Sequence, residues 1–368
     1  MEKKSRMFDI ITFGSATKDI LVKPKNLTVL KYEKDFSTGK GVCFPMGSKI
    51  DIDDIKFNTG GGGTNTAATF SLQGFKTAFC GMVGQDLSGQ EIVNELKKLK
   101  VNTSFVLKTN KKPTNHSIVI SSEGQDRTIL AYRGASELMV KRNIPFNKLK
   151  TLLRPELRTG RDARILREAK IPVLKAKWIY LAPLSVSLCD NFGDIVNFAF
   201  KNKIKIAVNP GIAQLSLPKK EKLEEIFKRI NVLFLNQEEA SFLTKIPFDN
   251  EKEIFKIIDE ICPGVAVMTK GGEGVVVSDG KYVYSAKPSP NRNIVDTTGA
   301  GDSFASGFLS DYIRHNGDIE KAIQLGMANS QGCLSEVGAK NGLLKKGQKF
   351  ERVKVTKEMC DNNICIVK

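Results

Sequence analysis

Histidine, tryptophan and long apolar stretches are scarce in this sequence. Among 368 residues there are two histidines and one tryptophan, and the seven cysteines form no Cys-x-x-Cys pair. This scarcity argues against a histidine-rich metal site, a structural zinc site and a disulfide framework. No apolar run approaches the length that spans a bilayer, and the first residues lack the apolar core and cleavage site of a signal peptide. We therefore expect a soluble cytoplasmic protein with no membrane partner.

Positive charge exceeds negative charge by a wide margin. The chain carries 57 lysines and arginines against 40 aspartates and glutamates, a formal net charge of +17. Such a surface attracts polyanions, either nucleic acid or an anionic substrate such as ATP. The charge is concentrated in residues 141–170, where Phe146 is the one aromatic residue, so base stacking is not indicated. We interpret this segment as a solvated basic insertion and do not expect nucleic acid as a partner.

Short apolar β-runs alternate with helical patterns along most of the chain, and 41% of the residues are hydrophobic. This alternation predicts a mostly parallel sheet with helices on both faces. Two regions, residues 21–57 and 113–134, interrupt this alternation, and the second has the alternating pattern of a β-hairpin. We expect them to form a small β-sheet that acts as a lid. The predicted units are a core of residues 7–20, 58–112 and 135–344, the lid of residues 21–57 and 113–134, the basic insertion at 141–170, and a C-terminal tail at 345–368 that ends in an apolar edge strand.

The segment DTTGAGDSF, residues 296–304, has the composition of a phosphoryl-transfer site. Gly299, Ala300 and Gly301 stand where a loop enters a helix, so backbone N–H groups and the helix dipole can stabilise developing negative charge there. Asp302 follows at once and can take the proton from an attacking hydroxyl. An ordinary helix cap is the alternative for an isolated aspartate, but the neighbouring motifs favour the catalytic interpretation.

Two further segments near the N-terminus suggest a polyol site. Residues 58–67, NTGGGGTNTA, place four glycines before a helix, which allows a ligand to approach Gly60 and Gly61 closely. Asn65 offers a donor and an acceptor, and Asp19, just after the first strand, can accept hydrogen bonds from two adjacent hydroxyls. A flexible loop, a helix cap and a surface aspartate would explain the same residues. The absence of a GK[ST] sequence excludes a P-loop.

Four motifs together resemble those of the ribokinase-like (PfkB) carbohydrate kinase family, over about residues 8–342. They are GGGGTN at 60–65, LNQEEA at 235–240, TKGGEG at 269–274 and DTTGAGD at 296–302. The resemblance implies a three-layer α/β/α sandwich with a mostly parallel central sheet and a small β-sheet lid. It also implies ATP-dependent phosphorylation of a hydroxyl group on a sugar or sugar-like molecule, Mg²⁺ as cofactor, and a homodimer formed through the lid.

The resemblance further assigns a role to each motif residue. The implied catalytic residues are the base Asp302 and an anion hole of Gly299, Ala300 and Gly301. The implied sugar ligands are Asp19, Gly60, Gly61 and Asn65. The implied nucleotide and phosphate ligands are Asn236, Glu239, Thr269, Gly271 and Asn329, with Glu239 holding Mg²⁺ through water. Asp296 and Thr298 are the implied site of a monovalent cation such as K⁺.

The sequence motifs define the phosphoryl-transfer half of the site better than they define the molecule that accepts the phosphoryl group. Ribokinase-like proteins often carry an acidic residue in the strand after the lid, where this chain has WIYLAPLSVS and no glutamate. A nucleoside kinase on the same fold is therefore an alternative, with Phe36, Phe44 and Phe57 as candidates to stack on a base. A non-catalytic protein that binds a ligand or nucleic acid is a second alternative, which the intact GAGD sequence disfavours.

Overall fold

A computed structural model describes residues 6–25, 27–31, 40–120, 127–146, 174–216, 220–290 and 293–360. Most of the predicted basic insertion and the apolar end of the C-terminal tail lie outside these residues. In the described ranges, no helix has both the length and the apolar character needed to cross a membrane. Cys43, Cys189, Cys262 and Cys333 are free thiols, and Cys360 is disulfide-bonded.

Strands and helices alternate as the sequence pattern predicts. The strands are β1 (Arg6–Phe13), β2 (Thr17–Pro24), β3 (Thr28–Lys31), β4 (Lys40–Cys43), β5 (Ile52–Gly60), β6 (Thr77–Gly84), β7 (Asn102–Thr109), β8 (Asn115–Ile120), β9 (Thr128–Tyr132), β10 (Leu174–Leu181), β11 (Lys205–Val208), β12 (Val232–Asn236), β13 (Val265–Thr269), β14 (Val275–Ser278), β15 (Tyr282–Ala286) and β16 (Val355–Met359). The helices are α1 (Gly62–Leu72), α2 (Leu87–Lys98), α3 (Val186–Cys189), α4 (Phe192–Lys201), α5 (Ile212–Leu215), α6 (Lys220–Phe227), α7 (Gln237–Thr244), α8 (Glu251–Ile261), α9 (Ala300–Arg314) and α10 (Ile319–Leu334).

The main sheet has ten strands in the order β16-β15-β14-β13-β12-β11-β10-β1-β6-β7. The seven from β13 to β7 run parallel, and β14, β15 and β16 extend the sheet with antiparallel pairing. Alternate side chains of each strand enter different cores. Trp178 and Tyr180 of β10 pack with α9, whereas Ile179 and Leu181 pack with the helices from α3 to α8. Helices thus cover both faces, and the predicted α/β/α sandwich is confirmed.

A separate sheet of four strands, in the order β5-β2-β8-β9, stands beside the main sheet. Strands β2 and β5 overlap the first predicted lid region, and β8 and β9, in the second, form the predicted hairpin, with Ile118 opposite Leu130. Strand β2 begins at Thr17 and strand β5 ends at Gly60. The sheet therefore extends a few residues beyond both limits of the first predicted lid region, residues 21–57. Asp19 therefore lies within the lid sheet rather than in the core. Strands β3 and β4 form an additional two-stranded ribbon.

The C-terminal tail, as far as it is described, adds a strand to the main sheet, although the prediction set it apart from residue 345 onward. Its strand β16 pairs antiparallel with β15, from Ala286 opposite Val355 to Tyr282 opposite Met359. The edge strand of the main sheet is thus residues 355–359, and the apolar run predicted as an edge strand lies beyond the described residues. β14 bonds to one edge of β15, and the backbone groups on the other edge of β15 bond to β16.

Asn329, predicted as a nucleotide ligand, is an interior tether. Its side chain is fully buried on α10, and Nδ2 donates to the Ser303 carbonyl at 2.7 Å and to Thr69 Oγ1 at 3.3 Å. Its Oδ1 accepts from the Leu344 N–H at 2.9 Å. These bonds join α10 to α9, to α1 and to the segment after α10. The amide is engaged within the protein, and its position at an adenine pocket stays a prediction.

Replacing Asn329 with alanine should destabilise the protein without weakening nucleotide binding. The substitution leaves the Ser303 carbonyl and the Leu344 N–H buried without this partner, which costs about 2 kcal/mol in unfolding free energy. Chemical denaturation and the KM for nucleotide would measure the two effects. Gln331→Ala, half-buried on the same helix, serves as control and should change stability little. A raised nucleotide KM with unchanged stability would restore the predicted ligand role.

Candidate active site

The candidate site lies where β1 and β10 end side by side at the carboxyl edge of the main sheet. The chain leaves β1 toward β6 on one side and later returns as β10 on the other, so the strand order reverses between them. Ligands of open α/β sheets bind at such a reversal. The backbone is close here, because a Cβ on Gly14 would lie 2.8 Å from the Gly63 N atom and 2.9 Å from the Ala182 Cβ. The glycine run therefore reaches the crevice directly.

Asp19 and the first two glycines of that run form one wall of the crevice. Gly60 lies next to the Asp19 carboxylate, since a Cβ on Gly60 would be 1.9 Å from Asp19 Oδ2. Gly61 has φ +97° and caps α1 in a conformation that favours glycine. Asp19 is 6% exposed, and burial raises its pKa to about 6 against the hydrogen bond from Ser117 and the charge of Lys340. A buried carboxylate is thus held at the lid side of the crevice.

Asp302 lies opposite, in the first turn of α9, and Asn65 of α1 binds it. Asn65 Nδ2 donates to Asp302 Oδ2 at 2.9 Å, although the two residues are 237 positions apart. Burial raises the pKa of Asp302, while the Asn65 hydrogen bond and the positive charge of Lys340 lower it. Asn65 Oδ1 is buried without a hydrogen-bond partner in the described structure. The pair therefore presents a carboxylate and an unused acceptor to the same space.

The glycine loop before Asp302 has the shape expected of an anion-binding turn. Gly299 adopts a left-handed conformation with φ +79°, directly before the first residue of α9, Ala300. A side chain at Gly299 would also meet the Ala339 Cβ at 2.4 Å. Gly301 is exposed, and an added Cβ there would meet no described atom within 4 Å. The Ala300 N–H donates to the Thr297 carbonyl at 3.4 Å, and the N–H groups of Gly301 and Asp302 follow it at the positive end of the helix dipole.

Asp296 holds this loop in place. Its Oδ1 accepts from the Thr298 N–H and its Oδ2 from the Gly338 N–H, both at 2.9 Å. Arg127, next to the lid strand β9, lies 3.6 Å from Asp296 Oδ1 and donates to the hydroxyls of Thr297 and Thr298. A guanidinium therefore already supplies positive charge beside this carboxylate. The Asp296 carboxylate does not fit the predicted ligation of a monovalent cation, and we derive no step through K⁺.

Asn236 and Glu239 form a capping box at the start of α7. Asn236 Oδ1 accepts from the Glu239 N–H at 2.7 Å, and Glu239 Oε2 accepts from the Asn236 N–H at 3.0 Å. Burial raises the pKa of Glu239 to about 7, and the charges of Asp302 and Glu238 add to the shift. A second carboxylate near Asp302 at the crevice fits Mg²⁺, which prefers one or two carboxylates together with substrate phosphates.

Thr269 and Gly271 lie at the end of β13, the strand next to β12. Thr269 Oγ1 donates to the Leu235 carbonyl at 3.5 Å, and Gly271 has φ +53° at the start of a short 3₁₀ turn. The intervening Lys270 is bound by Glu251, at 2.8 and 3.0 Å. Thr269 pairs in register with Asn236 across the two strands, so the two predicted nucleotide-side motifs are neighbours.

Three residues that the sequence patterns did not indicate lie near the carboxylates of the site. They are Arg127, described above, Lys340 and Tyr180 of β10. Lys340 follows α10, and its side chain is 5% exposed. The Tyr180 hydroxyl is buried without a hydrogen-bond partner in the described structure, and burial and the charges of Asp302 and Glu239 raise its pKa. Each is brought to the site by an element far away in sequence, so spacing gave no signal for it.

Comparison with known proteins identifies the family. The chain belongs to the pfkB family of carbohydrate kinases, whose pattern it matches over residues 40–346. A cytidine kinase from Thermococcus kodakarensis is 28% identical over 179 residues, 48% of this chain and 62% of that protein. An adenosine kinase from Schizosaccharomyces pombe is 25% identical over 305 residues, 79% of this chain and 84% of that protein.

A solved structure confirms the fold. The Arabidopsis thaliana ribokinase complexed with ribose and ATP has a TM-score of 0.66 and 21% identity, over 92% of this chain and 96% of that chain. The predicted family, the α/β sandwich with a small sheet, and the predicted class of activity, a kinase that acts on a hydroxyl group, are confirmed together.

Gly60→Ala should impair acceptor binding strongly. The added methyl would overlap the Asp19 carboxylate, and a displacement of about 1 Å can cost roughly 100-fold in kcat/KM. The loss should appear in the acceptor's KM, with the KM for ATP unchanged, in steady-state kinetics. Gly193→Ala is the control, because its added methyl would meet only the end of the Ile226 side chain, at 3.2 Å. Equal effects of the two substitutions would argue against the placement of Asp19.

Proposed function

We propose that this protein transfers the γ-phosphate of ATP to a hydroxyl group of a sugar or nucleoside, with Asp302 as the general base. The observation that carries the proposal is the Asn65–Asp302 hydrogen bond of 2.9 Å at the open N-terminus of α9. It holds the Asp302 carboxylate directly after the glycine turn at Gly299–Gly301, which would bind the phosphoryl oxygens. In-line phosphoryl transfer requires these two groups side by side, a base for the hydroxyl and donors for the phosphoryl oxygens.

The acceptor would lie between Asp19 and Asp302. Asp19 would accept hydrogen bonds from hydroxyls of the acceptor, and Gly60 and Gly61 would allow close approach. The unused Oδ1 of Asn65 would accept one more. Asn58 is a further candidate, because it pairs with Asp19 in register, shares its face of the lid, and has a buried Nδ2 without a described partner. Asp302 then removes the proton of the attacking hydroxyl.

ATP would occupy the opposite half of the crevice. The backbone of Gly299–Gly301 would stabilise charge on the transferred group, and Thr269 and Gly271 would border the nucleotide. Glu239, with Asn236 holding it, would orient Mg²⁺, which when bound neutralises charge on the phosphates. The solved Arabidopsis ribokinase that resembles this fold contains ATP, and it supports ATP as the phosphoryl donor.

The choice between a sugar and a nucleoside stays open at the lid. The register pairs Ile20 with Phe57 and Asp19 with Asn58, so Phe57 lies on the face of the lid away from Asp19. A base stacked on Phe57 is therefore not supported, and Phe36 lies outside the described residues. The similarity to both nucleoside kinases and ribokinases supports either acceptor. The basic insertion, the basis of the nucleic-acid alternative, is described only up to Phe146.

The outer face of the lid supports a homodimer. Phe57, Ile20, Ile118 and Leu130 follow one another across the four strands in register. Phe57 is 58% exposed and Leu130 is 54% exposed. A continuous apolar row on the solvent side of a sheet is a common protein-protein contact. We propose that a second copy of the chain covers this row.

Asp302→Asn should abolish turnover and retain acceptor binding. Loss of the general base should lower kcat by about 10²–10⁴-fold, because the amide can still accept a hydrogen bond but cannot take the proton. ADP release would be measured with sugars, sugar acids, sugar phosphates and nucleosides, each with Mg-ATP. Asp311→Asn, on the same helix and paired with Arg314, is the control and should stay active. Near-normal activity of the Asp302 variant would refute its role as base.

Leu130→Lys should convert a dimer to a monomer. A lysine in the middle of the apolar row would place charge in the interface, and sedimentation or light scattering would report the mass. Met359→Lys is the control, because Met359 is 69% exposed on β16, the last strand of the main sheet, which pairs with β15 and with no strand of the lid. A mass that neither substitution changes, or a wild-type monomer, would exclude this dimer.

A further inference from the structure

Arg127 is a lid residue whose guanidinium lies among the oxygen atoms of the loop before the glycine turn. It directly precedes β9, the strand at one edge of the lid sheet. Its Nη1 atom donates to the hydroxyls of Thr297 and Thr298, the second at 3.2 Å, and lies 3.6 Å from Asp296 Oδ1. Three oxygen atoms of one short loop therefore converge on a single nitrogen. The next residue of that loop is Gly299, where the glycine turn begins.

Asp296 needs a positive charge at this place. Its side chain is 9% exposed, and the N–H groups of Thr298 and Gly338 donate to it at 2.9 Å. These donors are neutral, so they leave the carboxylate with its negative charge. A negative charge three residues before Gly299 disfavours the approach of phosphate oxygens, because like charges repel. A cation beside Asp296 removes that repulsion from the start of the turn.

The same oxygen atoms are those that would hold a small ion. The family resemblance implies a monovalent cation at Asp296 and Thr298, and oxygen atoms replace the hydration shell of such cations in proteins. The guanidinium of Arg127 carries the same single charge, stays charged at every ordinary pH and is weakly hydrated. An ion and Nη1 cannot occupy the same point. The arginine therefore excludes the ion and brings an equal charge.

We propose that Arg127 is a positioning residue whose guanidinium takes the place of the monovalent cation, so that phosphoryl transfer in this protein does not require K⁺. This inference rests on the proposed function, because the glycine turn binds phosphoryl oxygens only in that reaction. The guanidinium neutralises Asp296 and holds Thr297 and Thr298 directly before Gly299. Arg127 also belongs to the sheet whose strand β2 carries Asp19, so one sheet supplies both the built-in cation and the proposed acceptor ligand.

The wild type tests the first half of the inference. Acceptor-dependent ADP release with Mg-ATP would be measured in potassium chloride and in choline chloride at equal ionic strength, with no other alkali cation present. Choline is too bulky to enter a site made for K⁺. The rates should be equal in the two salts. The melting temperature should also be equal, since an ion that does not bind the native state does not stabilise it.

Arg127→Ala tests the second half, because it empties the point at which the three oxygens converge. In choline chloride kcat should fall by about 10- to 100-fold, the range expected for loss of a hydrogen-bonded charge. Potassium chloride, or guanidinium chloride at millimolar concentration, should restore a large part of that loss. The melting temperature of the variant should be higher in potassium chloride than in choline chloride, because K⁺ now binds the native state.

Arg314→Ala is the matched control. Arg314 pairs with Asp311 at the other end of α9, and the side chains of that pair are 26% and 12% exposed, against 28% and 9% for Arg127 and Asp296. Its loss removes a similar ion pair far from the glycine turn, so this variant should show no response to K⁺ beyond that of the wild type. If Arg127→Ala does not fold, Arg127→Gln replaces it. If neither folds, the wild type decides, and equal results in the two salts support the inference.

The outcomes separate this inference from the proposed function. A wild type that ignores K⁺, together with an Arg127 variant that K⁺ activates and stabilises, supports the built-in cation. A wild type that needs K⁺, an Arg127 variant that responds to K⁺ as the wild type does, or an equal response in Arg314→Ala overturns it. A wild type without acceptor-dependent ADP release, or an active Asp302→Asn, is instead a failure of the proposed function. The melting temperatures need no acceptor, so they still report whether K⁺ replaces Arg127.

Discussion

The hydrogen bond between Asn65 and Asp302 is the contact on which the site depends. It joins the first turns of α1 and α9, two helices that begin at glycine loops and enter the crevice from different parts of the chain. Each helix start supplies unpaired N–H groups, and the bond fixes how far apart these lie. The lid side and the phosphoryl-transfer side of the site are positioned relative to each other through this one pair.

Burial of charge is the cost of this arrangement, and the site offsets it with hydrogen bonds and ion pairs supplied by other elements. Asp296 is satisfied by two backbone N–H groups and by Arg127. Asp302 has Asn65, and Lys340 has Glu95. A buried carboxylate without such partners would be protonated at neutral pH. The partners come from the lid, from α2 and from the loop after α10, so a correctly charged site requires the complete fold.

The sequence was sufficient for the parts of the site that are local. A glycine with left-handed backbone followed by a helix start is encoded in adjacent residues, which is why Gly299 and Asp302 could be predicted. Lys340 and Arg127 could not, because their partners lie far away along the chain. The hydrogen bonds of Asn329 could not be predicted for the same reason, since its three partners belong to other segments. The lid could be predicted because it interrupts the alternation of strands and helices along the chain. Its limits could not, because they depend on strand pairing.

Glu239 combines a structural motif with the Mg²⁺ role that we propose for it. Its bond to the Asn236 N–H completes a capping box, which alone explains the N-x-x-E spacing. A surface cap, however, would not place the carboxylate where burial and Asp302 raise its pKa to about 7. Negative charge on Glu239 is unfavourable at that position, and a divalent cation bound with the nucleotide would neutralise it. The same carboxylate can thus stabilise the start of α7 in the free protein and favour the charged complex over the empty site.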